Sequence, residues 1–374
     1  IRSAHPIGAH LSGGLDSSSI AVLAARMLRA QDRTLPTYNW QATPDTDDDV
    51  SSLEYAGLRN ICAIEGLSHQ NAKLTAYDLT RQLRQDICLH HDLNIWYEPL
   101  VRRMAADDGV RVLLSGWGGD ELISFNGRGW RSEQFRRGRW RELLRDIWVG
   151  PSFWRRSRRT ASVLYHHVFK PSLPDAVYRA LHARSQSWLQ IDCVTPGFAR
   201  MIGELPPAPP DRVQRTVHAT QLWLLAFGHL AQRTEIWAGD GAQDGMVYRF
   251  PLLDRRLVEY SLAVPGDLYM DGRMDRYLFR RMVEGLLPSD VQWGNVKGEN
   301  IRVRHLTMLM ETALKTLLTH DLNPDIVPNT ELIDFDCLVS FVRSNRLSTD
   351  PVTRQVSLIL MTQVLNSGSE LSIL

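Results

Sequence analysis

Two glycine-rich turns carry the residue types in this chain of 374 residues that are best suited to chemistry. The first is Leu11-Ser12-Gly13-Gly14-Leu15-Asp16-Ser17-Ser18-Ser19, placed between the apolar run 6–10 and the helix-like Ile20-Ala21-Val22-Leu23-Ala24-Ala25. Paired glycines let a backbone turn tightly and aim successive N–H groups at one point. A helix beginning there adds partial positive charge, and Ser12, Ser17 and Ser18 add hydroxyls. Ser12, Gly13, Gly14, Ser17 and Ser18 together read as a phosphate cradle. Asp16 in the same turn would repel phosphate unless a cation lay between them, which makes it a Mg2+ ligand. The plainer alternative is a flexible Ser/Gly loop leading into a capped helix.

The second turn ends the apolar run Arg111-Val112-Leu113-Leu114 and reads Ser115-Gly116-Trp117-Gly118-Gly119-Asp120-Glu121. Each turn follows a strand-like segment. In an open parallel sheet, ligands bind beyond the carboxyl ends of the strands. The two turns are therefore expected side by side, with Asp16 and Asp120 sharing one Mg2+ that neutralises phosphate charge. An aspartate capping a helix is the alternative for Asp120.

Further elements must position these turns. Thr37-Tyr38-Asn39-Trp40 reads as a second strand, and 50–64 as a helix preceded by Asp45, Asp47, Asp48 and Asp49. Acids before a helix favour its dipole, so those four read as a solvated helix start rather than a metal cluster. A third strand is expected near His69. His5, His10, His90 and His91 lack ligand spacing and read as structural. Residues 217–230 form a strongly apolar stretch that predicts one helix, beyond the Pro-rich linker 205–211.

The first turn resembles the pyrophosphate loop of the N-type ATP pyrophosphatases, a family that includes asparagine synthetase, β-lactam synthetase and lasso peptide cyclases. The second resembles that family's SGxGxDE element. Tyr248-Arg249-Phe250-Pro251-Leu252-Leu253-Asp254 is similar to its EARxPxLD element, and Lys297 falls where the family places a lysine on the phosphates and the acyl oxyanion. A merely solvent-exposed lysine is the alternative for Lys297.

The resemblance implies an α/β fold, a parallel-sheet adenine-nucleotide α-hydrolase-like (ATP pyrophosphatase) core with a helical insert and a helical C-terminal part. The expected divisions are 1–127 for the core, 128–215 for the insert and 216–374 for the C-terminal part. It also implies ATP and Mg2+, with Ser115 and Gly116 bordering the adenylate. Lys297, Asp16 and Asp120 would act in catalysis, and Trp117, Glu121 and Arg249 would shape the substrate side.

A net charge of +1 gives no bulk attraction to nucleic acid or membrane, and neither is expected as a partner. No apolar stretch approaches the length of a membrane span, and no signal-peptide pattern opens the chain. Cys62, Cys88, Cys193 and Cys337 lack CxxC spacing, so neither a metal site nor a disulfide framework is indicated. The expectation is a soluble, reduced, cytoplasmic protein. Only four lysines stand against 39 arginines. Eleven of those arginines fall in 128–159, with Trp130, Trp140, Trp148 and Trp154 among them. Such a segment either binds an acidic or peptidic partner or forms amphipathic helices with solvated arginines.

Three departures from the resembled enzymes bear on the substrate. No glutaminase-like domain precedes the first turn in this sequence. Trp117 stands where asparagine synthetase has Glu and β-lactam synthetase has Tyr, and Val247 stands for the Glu of EARxPxLD. Neither an indole nor an isopropyl group accepts a proton. A peptide α-amine, with a pKa of about 8, is partly neutral without help. With Phe125-Asn126-Gly127-Arg128-Gly129-Trp130 and the basic aromatic insert, the likeness is greatest to lasso peptide cyclases. The implied reaction is ATP-dependent macrolactam formation. An Asp or Glu side chain of a leaderless precursor peptide is adenylated, and the peptide's N-terminal amine closes the ring. A leader-binding protein and a leader peptidase are the implied partners. The alternative is an asparagine synthetase-like amide ligase using ammonia or a small amine.

Overall fold

The computed structural model describes residues 1–40, 49–84, 97–148, 153–174, 177, 195–197, 200, 215–226, 228–272, 274–294, 308–309, 312–313, 316, 334 and 337. Its centre is a five-stranded sheet. The strands are β1 (Ile7–His10), β2 (Thr37–Asn39), β3 (His69–Asn71), β4 (Val112–Leu114) and β5 (Val247–Arg249). Their order is β3-β2-β1-β4-β5, and all four pairings are parallel.

Parallel strands need crossovers long enough for a helix, and those helices cover both sheet faces. They are α1 (Leu15–Arg29), α2 (Asp49–Glu65), α3 (Ala76–Arg84) and α4 (Glu98–Asp107). Successive side chains of a strand point to opposite faces, so alternate residues belong to different cores. Ile7, Ala9, Val112 and Leu114 join Ala21, Leu28, Leu58 and Ile61 of α1 and α2. Tyr38, Leu113 and Tyr248 join Val101 and Ala105 of α4 with Trp237 on the other face. Burying each such aliphatic side chain contributes about 1.5–3 kcal/mol.

The second and third strands and the helix between them lie where the sequence pattern puts them. Three expectations need correction. The apolar stretch 217–230 is not one helix: α8 (Val217–Ala226) ends before Gly228, whose φ of +89° breaks it, and α9 (His229–Gln243) starts afresh. The sheet's fifth strand comes from 247–249, inside the part expected to be helical. Cys337 is disulfide-bonded, so scattered spacing did not exclude a disulfide, whereas Cys62 is free.

The arginine–tryptophan insert supplies α5 (Trp130–Arg136), α6 (Trp140–Ile147) and α7 (Phe153–Leu164). Leu143 and Ile147 of α6 are buried with Val168, against Phe135, Val163 and Leu164. Trp140 and Leu144 on the same helix, and Trp148 just past its end, are spaced four apart and stay exposed. Several insert arginines are already committed: Arg131 to Asp146 at 2.6 Å, Arg137 to Glu133 at 2.6 Å, and Arg139 to Asp267. Among the described residues no helix is long and apolar enough to cross a membrane.

After β5 come α10 (Arg255–Ala263), the short antiparallel pair β6 (Met270–Asp271) and β7 (Met274–Asp275), α11 (Tyr277–Met282) and α12 (Ser289–Trp293). The strand order reverses direction at β1 and β4, and a cleft opens beyond the carboxyl ends of such strands. The turn after β1 and the turn after β4 are the two glycine-rich turns.

Candidate active site

The first turn is held by its own hydroxyls. Ser12 Oγ and Ser17 Oγ are 2.7 Å apart, the Ser12 N–H donates to Ser17 Oγ at 3.1 Å, and the Gly14 N–H donates to Ser12 Oγ at 3.3 Å. Gly13 has φ +79°, a conformation that L side chains rarely adopt. Ser12, Gly14, Asp16 and Ser17 keep partial exposure, whereas Ser18 is fully buried with no hydrogen-bond partner for its hydroxyl. Ser18 was expected on the phosphates. In this structure it faces inward, because it lies on the core side of the first turn of α1.

The two turns touch. A Cβ at Gly116 would lie 2.6 Å from the Ser17 nitrogen and 2.8 Å from the Asp16 carbonyl carbon, and one at Gly119 would lie 2.8 Å from Asp16 Oδ1. Only glycine permits this approach. Behind the second turn, the 251–253 turn packs closely, with Leu253 2.3 Å from where a Cβ on Gly118 would be. The Ser115 N–H donates to the Arg249 carbonyl at 2.9 Å, and the Trp117 N–H to Ser115 Oγ at 3.2 Å.

Asp16 and Asp120 converge as the sequence implies, but through a residue the sequence did not single out. Arg276 Nη1 donates to Asp16 Oδ2 at 3.0 Å, and Arg276 Nη2 pairs with Asp120 Oδ1. Arg276 is 6% exposed and holds a left-handed φ of +55° just before α11. A buried non-glycine residue in that conformation costs of order 1–3 kcal/mol and persists only where its surroundings demand it. The strain here aims a guanidinium between two carboxylates.

Burial, reinforced by the Asp120 carboxylate, pushes Asp16 up to about 7, against the opposing pull of Arg276. Asp16 Oδ1 is buried without a hydrogen-bond partner. Ser124 Oγ, also buried and unpartnered by hydrogen-bond geometry, lies near enough to favour the charged carboxylate. An unsatisfied carboxylate oxygen beside a second, exposed acid suits a hard cation. Among the described residues no group of three or more acids, histidines or cysteines could hold a metal. Mg2+ commonly takes one or two carboxylates and completes its shell with phosphate oxygens and water. The residues present fit that arrangement, in which Asp16 and Asp120 would be the protein ligands.

Trp117 forms the other wall. The Arg233 guanidinium lies 3.7 Å from the Trp117 ring centroid, and the His229 ring stands edge-on to it at 6.3 Å. His229 Nε2 is 3.2 Å from Glu121 Oε1, and Glu121 Oε2 is buried without a partner. The positions of Trp117 and Val247 themselves offer no titratable group, and the titratable side chains beside Trp117 are His229 of α9 and Glu121 of its own turn.

Val247 is exposed at the start of β5, opposite Val112, on the end of the strand away from the turns. Arg249, expected to shape the substrate side, donates to the Arg2 carbonyl at 2.8 Å and is exposed. Lys297 lies outside the described residues. His10, expected to be structural, is buried and hydrogen-bonded to Glu98 at 3.0 Å, which also accepts from the Tyr248 hydroxyl at 2.6 Å.

This architecture, a parallel sheet with an anion cradle and paired acids at its switch point, defines the adenine-nucleotide α-hydrolase-like class. The chain belongs to the asparagine synthase family, whose profile matches residues 1–366. It is 23% identical over 317 residues to a putative glutamine-hydrolysing asparagine synthetase of Mycobacterium bovis. The match to a protein of the same name in Mycobacterium tuberculosis is equally strong. Each match covers 82% of this chain and 46% of the relative, so the chain spans about half the length of these curated relatives.

Proposed function

We propose that the chain is an ATP-dependent, AMP-forming amide ligase that closes a macrolactam in a peptide. The observation that carries the ligase reading is the convergence of Asp16 and Asp120 on the one Arg276 guanidinium, with Asp16 in the turn that holds the Ser12–Ser17 hydroxyl pair. A carboxylate oxygen of the substrate attacks the α-phosphorus of ATP and pyrophosphate leaves. The amine nitrogen then attacks the acyl carbon, AMP leaves, and the peptide has lost the elements of one water. Mg2+, bound by Asp16 and Asp120, would neutralise phosphate charge. Ser12, Gly13, Gly14 and Ser17 orient the phosphates, and Ser115 and Gly116 border the adenylate. Lys297 takes the phosphate and oxyanion role that the family resemblance implies.

The choice of a peptide rests on the surroundings. A cavity of about 230 Å3 opens between 126–131 and the β6–β7 hairpin, lined by Arg128, Trp130, Arg131, His167 and Asp275. Asp275, in the cavity wall, immediately precedes in the chain Arg276, which pairs with both acids. The lining brings together cationic and aromatic groups of the insert, which is more surface than ammonia or a small amine needs. In the cell, a leaderless precursor peptide is the substrate this reading requires, delivered by a leader-binding protein and a leader peptidase.

The test uses synthetic peptides with a free N-terminus and one internal Asp or Glu, incubated with ATP and Mg2+. Mass spectrometry should show loss of one water from the open peptide, with AMP released, and no loss once the N-terminus is acetylated. Conversion of aspartate and ammonia to asparagine, with no dehydrated peptide, would instead establish the small-amine alternative.

A further inference from the structure

The segment Phe125-Asn126-Gly127-Arg128-Gly129-Trp130 belongs to neither glycine-rich turn, yet the fold builds a cavity on it. Its own turn holds Arg128 in one place. Gly127 has φ +75° and Gly129 has φ +95°, conformations that L side chains rarely adopt. A Cβ on Gly127 would lie 2.5 Å from Met270 Cγ of β6, and one on Gly129 would lie 2.6 Å from the Thr216 carbonyl just before α8. Between them, Asn126 Oδ1 accepts the Arg128 N–H at 3.1 Å. The Arg128 guanidinium lies over the Phe125 ring, 5.8 Å from its centroid, and Phe125 is fully buried. The ring holds the side chain from one face and leaves the edge of the guanidinium, with its N–H donors, to a ligand.

The charges in the cavity wall leave a remainder. Arg131 gives its Nε to Asp146 at 2.6 Å, and Asp275 pairs with Arg280 at 3.2 Å. Burial and the Arg131 guanidinium hold His167 below the usual histidine pKa, so it is mostly uncharged near neutral pH. Arg128 is exposed and has no carboxylate partner among the described residues. We propose that this cavity is a carboxylate pocket anchored by Arg128, and that it selects peptide substrates carrying a carboxylate besides the one that is activated. The inference rests on the peptide-ligase reading above and names a feature its substrate must have. One negative charge cancels the remainder, whereas a phosphate would exceed it and stand against Asp275. The planar guanidinium fork also matches a carboxylate through two parallel N–H···O bonds. No lining residue belongs to either glycine-rich turn, so a carboxylate held here is not the one at the phosphates. An Asp or Glu side chain or the C-terminal carboxylate can supply it.

The test uses three synthetic peptides that share a free N-terminus and one Glu for activation. The first carries a second Glu and ends in a carboxamide. The second has Gln in place of that Glu and the same carboxamide. The third has the Gln and a free C-terminal carboxylate. Calorimetry measures binding of each to wild type and to Arg128→Gln, and AMP release with ATP and Mg2+ is followed separately. The pocket predicts that wild type binds the first or the third peptide about 10-fold tighter than the second, and the peptide so favoured identifies the source of the carboxylate. Arg128→Gln should lose that preference and bind the second peptide as wild type does. In turnover the preference should appear in KM and not in kcat, as expected of a contact remote from the reacting atoms.

Equal binding of the three peptides by wild type would overturn the pocket, as would binding of none of them or a preference that survives in Arg128→Gln. Loss of the preference on adding pyrophosphate alone would mark the cavity as a phosphate site and overturn it too. If Arg128→Gln fails to fold, Arg128→Met, which keeps an apolar stem over Phe125, decides in the same way. A carboxylate preference without AMP release by wild type would support the pocket and refute the ligase reading. AMP release without the preference would refute the pocket and leave the ligase reading standing.

Discussion

Asp16 links the architecture of the site to a quantity measurable without any substrate. Its carboxyl is pushed from 3.8 to about 7 by burial and by Asp120. The folded protein therefore binds this proton more tightly than the unfolded chain does. Stability from this group is complete below pH 3.8 and is lost as pH rises through about 7. One such proton changes stability by at most about 1.4 kcal/mol per pH unit, or about 4 kcal/mol over the window. Water reaching a side chain that is 16% exposed reduces the expectation to about 2 kcal/mol.

Urea denaturation of the wild-type protein and of Asp16→Asn, from pH 4.5 to 7.5, isolates the Asp16–Asp120 pair, because groups distant from it cancel in the difference. Wild type should lose stability relative to the variant as pH rises. Excess Mg2+ should then restore stability to wild type near neutral pH, and not to the variant. Parallel profiles for the two proteins, with or without Mg2+, would refute both the buried-acid argument and the assignment of Asp16 as a metal ligand.

Other outcomes follow from the same geometry. Gly116→Ala places a Cβ 2.6 Å from the Ser17 nitrogen, so the turns must part. It should cost about 1–3 kcal/mol in denaturation and weaken ATP binding measured by calorimetry; unchanged values in both would remove the case for a close approach. Asp120→Asn should abolish AMP release while leaving the circular dichroism spectrum intact, and turnover near wild type would contradict its place on the metal. Glu98→Ala strands the Tyr248 hydroxyl and His10 in the core beneath the sheet, and should destabilise by about 3–5 kcal/mol with Glu98→Gln costing less. Equal denaturation midpoints for all three proteins would show that the network is energetically idle.

The two turns were legible because their chemistry is local. Glycines, hydroxyls and an acid within nine residues announce an anion site, and strands of the Val112–Leu114 kind announce what precedes it. Their adjacency was legible too, since a parallel sheet puts ligands at one end. Arg276 was not. Its role depends on a left-handed backbone and on a chain return of 260 residues, neither of which leaves a periodic trace.

The helix start at His229 was missed for a different reason. The apolar run 217–230 suggested a single helix and hid the break at Gly228, so a residue that opens a second helix was read as the interior of the first. The three-residue β5 is shorter than the alternation needed to reveal a strand. Ser18 shows the reverse error: its residue type fits a cradle, but helical geometry turns it into the core.

The central claim is that the paired acids serve activation of a carboxylate as its adenylate. Heavy-oxygen label in the side-chain carboxylate of a synthetic peptide tests this directly, by mass spectrometry of the nucleotide after turnover. Attack of the carboxylate on the α-phosphorus predicts one labelled oxygen in AMP, none in pyrophosphate, and none in AMP from Asp16→Asn or Asp120→Asn. Label appearing in inorganic phosphate alongside ADP, or ring closure with unlabelled AMP, would contradict the account.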